Sequence, residues 1–201
     1  IESKDNAVIL ALQSFDAILV GGQLPNFATV ESLKSRGVKL VESYGMAETS
    51  GGCVYDGKAL EGVNLEIIDG KVAVSGPMLA NGICEVFLRS DLGEIVGGRL
   101  RVMGRADRVI VSGGKKVSLD DVEAKVLAHE GVTEVIAVAL ESKWGQSVGL
   151  VLAARESFDE SKLQEILLGP AKPIAVQRVD QVPRLISGKP DYQAAMALLA
   201  D

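Results

Sequence analysis

Val38-Lys39-Leu40-Val41-Glu42-Ser43-Tyr44-Gly45-Met46-Ala47-Glu48-Thr49 runs an apolar segment straight into a polar, glycine-bearing one, and its reading decides the fold. The first half has the short β-branched and aliphatic run of a buried strand. Upstream, Ala17-Ile18-Leu19-Val20 is a second such run, ending at Gly21-Gly22, where bare backbone is offered to solvent or ligand. Between the two, residues 28–36 carry a helical pattern that Gly37 stops. Strand, helix, strand predicts the tail of a parallel α/β layer over residues 1–58.

Downstream the period changes to two. Val63-Asn64-Leu65-Glu66-Ile67, the turn pair Asp69-Gly70 and Lys71-Val72-Ala73-Val74 predict a hairpin. Glu94 to Val102, folded about Gly97-Gly98, predicts another, so residues 59–104 form a small antiparallel β subdomain. From residue 105 to 201 a compact α+β domain follows. Arg108 to Val111 reads as a strand before Gly113-Gly114, and Ser118 with Asp121 marks a helix start at capping-box spacing. Leu119, Val122, Val126 and Leu127 give that helix an apolar stripe. Two apolar strands, a helix near 159–168, a strand at 174–179 and a last helix from about Pro190 to Ala200, with Pro in its first turn, complete the pattern.

The 201 residues are 47% hydrophobic and 24% charged, an ordinary globular composition. A net charge of −6 lacks the cationic field that a nucleic acid or an anionic membrane surface requires. Apolar stretches such as 135–140 and 148–154 are too short to span a bilayer. Cys53 and Cys84 are too few for a disulfide framework and suit reduced thiols in a cytoplasmic protein. His129 is the single histidine, so no histidine-rich metal site can be built. The start, Ile1-Glu2-Ser3-Lys4-Asp5, has neither an initiator methionine nor a signal-peptide pattern.

Three polar, glycine-bearing sites then stand in order: Tyr44-Gly45-Met46-Ala47-Glu48-Thr49; Gly104-Arg105-Ala106-Asp107-Arg108 with Ser112-Gly113-Gly114 and Glu123; and Pro183-Arg184-Leu185-Ile186-Ser187-Gly188-Lys189. In that order and spacing they resemble the adenylate-forming enzymes, the acyl-CoA synthetase and luciferase superfamily. The longer run from Ser43 through Ser50-Gly51-Gly52-Cys53 to Gly57 and Val63 resembles the actinobacterial 2-succinylbenzoate–CoA ligases of menaquinone synthesis.

The resemblance implies a large domain over residues 1–104 and a hinged, mobile α+β carboxy-terminal domain over 105–201. It implies ATP, Mg2+, coenzyme A and an aryl carboxylate as small-molecule partners, with no prosthetic group. Tyr44 would stack on adenine, with Gly21, Gly22 and Gly45 as close backbone, and Glu48 would help hold magnesium. Where the family has Thr this chain has Ala47, leaving Thr49 or Ser50 to supply the hydroxyl. Asp91, in Arg89-Ser90-Asp91-Leu92-Gly93, stands where the family's Thr-Gly-Asp holds ribose. Arg105 would contact ribose or phosphate, and Asp107 would be the pivot of the hinge. Gly113 and Gly114 would approach the pantetheine channel, and Lys189 would bridge carboxylate and α-phosphate. Ser50, Gly51 and Gly52 would border the acyl pocket. Leu185 replaces the Thr of the family's terminal loop.

The family's Ser/Thr/Gly-rich phosphate loop lies upstream of the Tyr-Gly segment, and residues 1–43 supply no counterpart, so the chain reads as a carboxy-terminal portion. A cut through the parallel sheet would leave an open strand edge, which predicts self-association into a homo-oligomer or marginal stability. Adenylation of another aryl or amino acid for a carrier protein, and a noncatalytic nucleotide-binding fragment, stand as alternatives.

Overall fold

Parallel strands cannot be joined by a tight turn, so the first two strands require a crossover, and a helix supplies it. Helix α1 (Asn6–Gln13) precedes strand β1 (Ile18–Gly21), helix α2 (Phe27–Ser35) crosses over, and β2 (Leu40–Met46) pairs with β1 in parallel, Ile18 opposite Leu40. The computed structural model describes residues 6–23, 25, 27–83, 85–143 and 145–200; Cys84 and the segment 1–5 discussed above lie outside the described residues. The chain divides into two units, the first ending at Ala106 and the second starting at Asp107. At the end of α2, Gly37 takes φ +82°, and Val38 N–H donates to Leu33 O at 3.1 Å, closing the helix with a left-handed cap. Ile9, Val30, Leu33, Val38 and Leu40 bury against one another and hold both helices on these strands.

Strands β3 (Gly51–Tyr55) and β4 (Lys58–Ala59) extend the same sheet in antiparallel fashion. A second sheet is a meander of β5 (Asn64–Ile68), β6 (Lys71–Ser75), β7 (Val86–Val96) and β8 (Arg99–Arg105). Its turns Asp69-Gly70 and Gly97-Gly98 are left-handed at both residues, as a two-residue hairpin with the strands' own twist demands. Cys53 and Val54 of β3 pack against Val72, Val74 and Leu100 of the meander, so the two sheets of the first unit share a core.

In the second unit β9 (Val109–Ser112) turns through Gly113-Gly114 into β10 (Lys115–Ser118), a strand that the sequence pattern did not reveal. Ser118 then caps helix α3 (Leu119–Leu127), its Oγ accepting from Asp121 N–H at 3.2 Å. Strands β11 (Val132–Ser142) and β12 (Gly145–Ala154) form a long antiparallel hairpin. The helix expected over 159–168 contracts to α4 (Leu163–Ile166), with short 3-10 turns at Glu160–Lys162 and Gly169–Ala171 on either side. Strand β13 (Pro173–Arg178) joins β12 in parallel. The last helix, α5 (Tyr192–Ala197), starts two residues later than expected. Pro190 precedes its cap and forms a bridge with Arg184, and Asp191 caps the helix by accepting from the N–H groups of Gln193 and Ala194.

The unbroken apolar runs of β11 and β12 have a structural cause. Alternate residues face two different cores: Ala137, Val148, Leu150 and Leu152 pack toward α3 and α4, while Ile136, Val138, Val151 and Ala153 pack toward Val182 and Ala195 of the α5 side. Each fully buried Val, Leu or Ile contributes roughly 1.5–3 kcal/mol, so both faces are strongly held.

Candidate active site

The Tyr-Gly segment is built by close backbone approach. Tyr44 lies within β2, opposite Val54 of β3, rather than after the strand as the sequence suggested, and a bulge follows it before Gly45 pairs with Gly52. A Cβ on Gly45 would collide with the Gly51 carbonyl and lie 2.7 Å from Gly52 Cα. Gly21 is constrained in the same way by Ser43, whose carbonyl oxygen would lie 2.7 Å from an added Cβ. After Met46 the chain makes a 3-10 turn, Ala47–Thr49, and Ser50 sits in the left-handed region at φ +56°.

Thr49 is a correction to the sequence reading. Its side chain is buried, and its hydroxyl donates to Gly51 O at 2.7 Å and accepts from Met46 N–H at 2.9 Å. That hydroxyl pins the turn and is spent on backbone, so it is not offered to a ligand. The Ser50 hydroxyl donates to Met78 O at 3.2 Å. Gly22, Ser43, Gly45, Met46, Ala47, Gly51 and Gly52 line a cleft of about 230 Å³. Four of the glycines singled out by sequence therefore meet at one hollow.

Beside them the meander supplies charge. Asp91 of β7 stands opposite Arg105 of β8, with Arg105 Nη1 3.5 Å from Asp91 Oδ1. The Tyr44 hydroxyl donates to Asp91 Oδ2 at 2.9 Å, a contact spanning 47 residues of sequence. Burial, and then the Asp91 carboxylate, push the Tyr44 phenol well above its ordinary pKa, so it remains a proton donor. Asp91 itself is only 9% exposed. Arg89, two residues before Asp91 on the same strand face, reaches Asp91 Oδ2 at 3.6 Å and Glu48 Oε1 at 3.5 Å. The structure thus gathers Tyr44, Glu48, Asp91 and Arg105 in the first unit and adds Arg89, which the sequence reading missed. Its period-two spacing from Asp91 was the available signal. Glu48 is a single partly exposed carboxylate, which suits a magnesium ion whose other positions are filled by phosphate oxygens and water. Among the described residues no three His, Cys, Asp or Glu side chains gather to hold a metal by themselves.

In the second unit Asp107 is exposed in the 3-10 turn Ala106–Arg108. Gly113 and Gly114 form the tip of the β9–β10 hairpin at φ +55° and +76°, with open space where side chains would be. Lys189 is exposed on a braced loop. Leu185 N–H donates to Lys189 O at 2.9 Å, Gly188 N–H donates to Leu185 O at 2.8 Å, and Arg184 Nη1 donates to Gly188 O at 2.8 Å while pairing with Glu134. A buried network lies next to Asp107 in sequence. The Arg108 guanidinium pairs with Asp120 and, at 2.6 Å, with Glu123, and lies 4.2 Å from the Tyr192 ring centroid. Glu123 also accepts from Ala137 N–H at 2.7 Å. Burial pushes the Glu123 carboxyl up to about 7, with Arg108 pulling the other way.

No family model matches the chain. A probable 2-succinylbenzoate–CoA ligase of Mycobacterium tuberculosis is 32% identical over 219 residues, covering 98% of this chain and 57% of that protein. A 2-succinylbenzoate–CoA ligase of Listeria monocytogenes is 30% identical over 203 residues, covering 86% of this chain and 44% of that protein. Among solved structures, the o-succinylbenzoate CoA synthetase of Bacillus subtilis in complex with ATP and magnesium superposes with a TM-score of 0.78 at 21% identity, over 95% of this chain and 50% of that one, and so shares the fold. The chain spans about half the length of the curated relatives it matches. In sequence and in fold, this chain is a relative of the adenylate-forming 2-succinylbenzoate–CoA ligases and matches the carboxy-terminal portion of their chains.

Proposed function

We propose that the protein acts in an ATP-dependent acid–thiol ligase that activates 2-succinylbenzoate for menaquinone synthesis in the cytoplasm. The observation that carries this reading is the meeting of Tyr44, Glu48, Asp91 and Arg105 beside a glycine-lined cleft, each group matching one need of an acyl-adenylate site. In the first half-reaction a carboxylate oxygen of the acid attacks the α-phosphorus, the bond to the β-phosphate breaks, and pyrophosphate leaves. In the second, the thiol sulfur of coenzyme A attacks the acyl carbon, the carbon–oxygen bond to AMP breaks, and the thiol proton passes to solvent.

Tyr44 presents its ring to adenine, and its hydroxyl bond to Asp91 fixes the ring plane. The Asp91 carboxylate has lone pairs beyond the Tyr44 bond with which to accept from ribose hydroxyls. Arg105 pairs with Asp91 and adds donors for ribose or phosphate. Gly51 and Gly52, with Ser50, border the acyl group. Magnesium, when bound with the nucleotide at Glu48, supplies charge neutralisation for the phosphates. Lys189 brings its ammonium to the charge that develops between carboxylate and α-phosphate. Rotation about Asp107 exchanges the Lys189 loop for the Gly113-Gly114 tip between the half-reactions, where bare backbone leaves room for the pantetheine arm. Nucleic acid and membrane have no part in this reading, and among the described residues no helix is long and apolar enough to cross a membrane.

The test is 2-succinylbenzoate-dependent exchange of labelled pyrophosphate into ATP by the purified protein with magnesium, against a Lys189→Ala control. Exchange that is lost in the control supports the reading and the role of Lys189. Binding of a nonhydrolysable acyl-AMP analogue without exchange means that the protein holds the nucleotide but does not adenylate by itself. Neither binding nor exchange overturns the proposal.

A further inference from the structure

In the Arg89-Ser90-Asp91 stretch, Asp91 keeps the acid of the family's Thr-Gly-Asp pattern, while Arg89 stands in the place of the Thr. Its neighbours are the two carboxylates that the nucleotide reading assigns to metal and ribose. Arg89 Nη1 lies 3.5 Å from Glu48 Oε1, and Arg89 Nε lies 3.6 Å from Asp91 Oδ2. Neither is a short hydrogen bond, and Nε is buried with no hydrogen-bond partner among the described residues. The guanidinium carbon is 5.9 Å from the Phe87 ring centroid, so the ring supports the cation from beside it. A guanidinium shared loosely between two carboxylates neutralises both and commits fully to neither.

The charge balance gives the consequence. Glu48 and Asp91 carry two negative charges, and Arg89 with Arg105 carries two positive ones, so the cluster is neutral as it stands. Without Arg89 it would face an incoming polyphosphate with a net negative charge unless a divalent cation were already on Glu48. We propose that Arg89 is a positioning residue that serves as a resident counter-ion: it lets an anionic nucleotide enter this cluster in the absence of metal and gives up Glu48 when the cation arrives with the phosphates. The proposal rests on the nucleotide-site reading above and concerns how that site is filled.

The experiment measures the dissociation constant of a nonhydrolysable ATP analogue by calorimetry, once in EDTA and once in excess magnesium. It uses the wild-type protein, Arg89→Thr, Arg89→Gln and the charge-preserving Arg89→Lys. The ratio of the two constants is the quantity of interest, since a merely structural loss weakens both alike. Removing the charge is expected to weaken binding in EDTA on the order of ten-fold, the residue of a close charge contact after solvent screening, with little change in magnesium. Arg89→Lys keeps the wild-type ratio. Arg89→Gln retains an amide donor and side-chain length, and so reports on charge even where Arg89→Thr fails to fold. An unchanged ratio in Arg89→Gln, or equal losses in EDTA and magnesium, overturns the counter-ion role and leaves the nucleotide site standing. No analogue binding by the wild type under either condition overturns both.

Discussion

Replacing Arg108 with Met should destabilise the second unit by an amount that depends on pH, and the structure gives both the size and the sign. Arg108 is 11% exposed at its side chain and pairs with Asp120 and Glu123, themselves 13% and 21% exposed. Removing one partner of a buried ion pair costs roughly 3–5 kcal/mol, because the carboxylates are left without their cation. Residual exposure places this cluster at the lower end, about 3 kcal/mol, and loss of the Tyr192 contact adds roughly 0.5–1 kcal/mol. For a unit of this size about 1 kcal/mol moves the melting temperature by roughly 4–8 °C, so a fall of at least about 12 °C is expected near pH 8.

The pH dependence follows from Glu123, whose carboxyl is raised to about 7 by burial against the pull of Arg108. A carboxyl raised in the folded state binds more protons there than in the unfolded chain. Its contribution is therefore fully present below the ordinary Glu range and is lost as pH rises through the folded value. Without Arg108 that value climbs further, so the variant should be penalised less at pH 5, where Glu123 is protonated, than at pH 8. Urea denaturation followed by far-UV circular dichroism at both pH values reads this directly. Adding Glu123→Gln to Arg108→Met should recover part of the loss at pH 8. A cost below about 1 kcal/mol at pH 8, or the same cost at pH 5 as at pH 8, would refute the argument.

Gly45→Ala should cost the first unit roughly 1–3 kcal/mol by forcing β2 and β3 apart at Gly51 and Gly52, and should weaken binding of an AMP analogue; unchanged melting and binding would show that the strands relax freely. Tyr44→Phe removes the bond to Asp91 and should cost about 1 kcal/mol in nucleotide affinity by calorimetry while leaving the ring's apolar packing in place. Asp191→Ala removes the cap of α5 and should cost about 1 kcal/mol, with faster amide exchange at Gln193 and Ala194 and through the Lys189 loop.

The fold was legible in sequence wherever local chemistry leaves little choice. Asp69-Gly70 and Gly97-Gly98 announce their hairpins because both residues must be left-handed, and Gly37 ends α2 for the same reason. Ser118 and its helix were readable because a cap is a local bond. Strand β10 was hidden because Lys115-Lys116-Val117-Ser118 has only one buried apolar residue and takes its conformation from pairing with β9. Pro190 looked like a first-turn proline, but Asp191 offers the better cap, and the bridge to Arg184 holds Pro190 outside the helix. In the candidate site, Tyr44 and Glu48 stood out by motif and Arg105 by its place in the Gly104–Arg108 run. Thr49 was misread because a hydroxyl looks the same in sequence whether it faces a ligand or its own turn. Arg89 was missed because its meaning depends on two carboxylates, one of them 41 positions away, that only the tertiary fold brings to it.

The two-sided burial of β11 and β12 has a consequence for synthesis. One face of that hairpin closes early, as soon as α4 has emerged, but the face bearing Ile136, Val138 and Val151 has only Val179 and Val182 against it until α5 is made, some forty residues after β12 ends. A ribosome stalled in the Lys189 loop would therefore hold a nascent chain with half of its sheet sealed and the other half adhesive, the state most in need of a chaperone. Slow codons placed before α5 should lower the soluble yield more than the same codons placed after it.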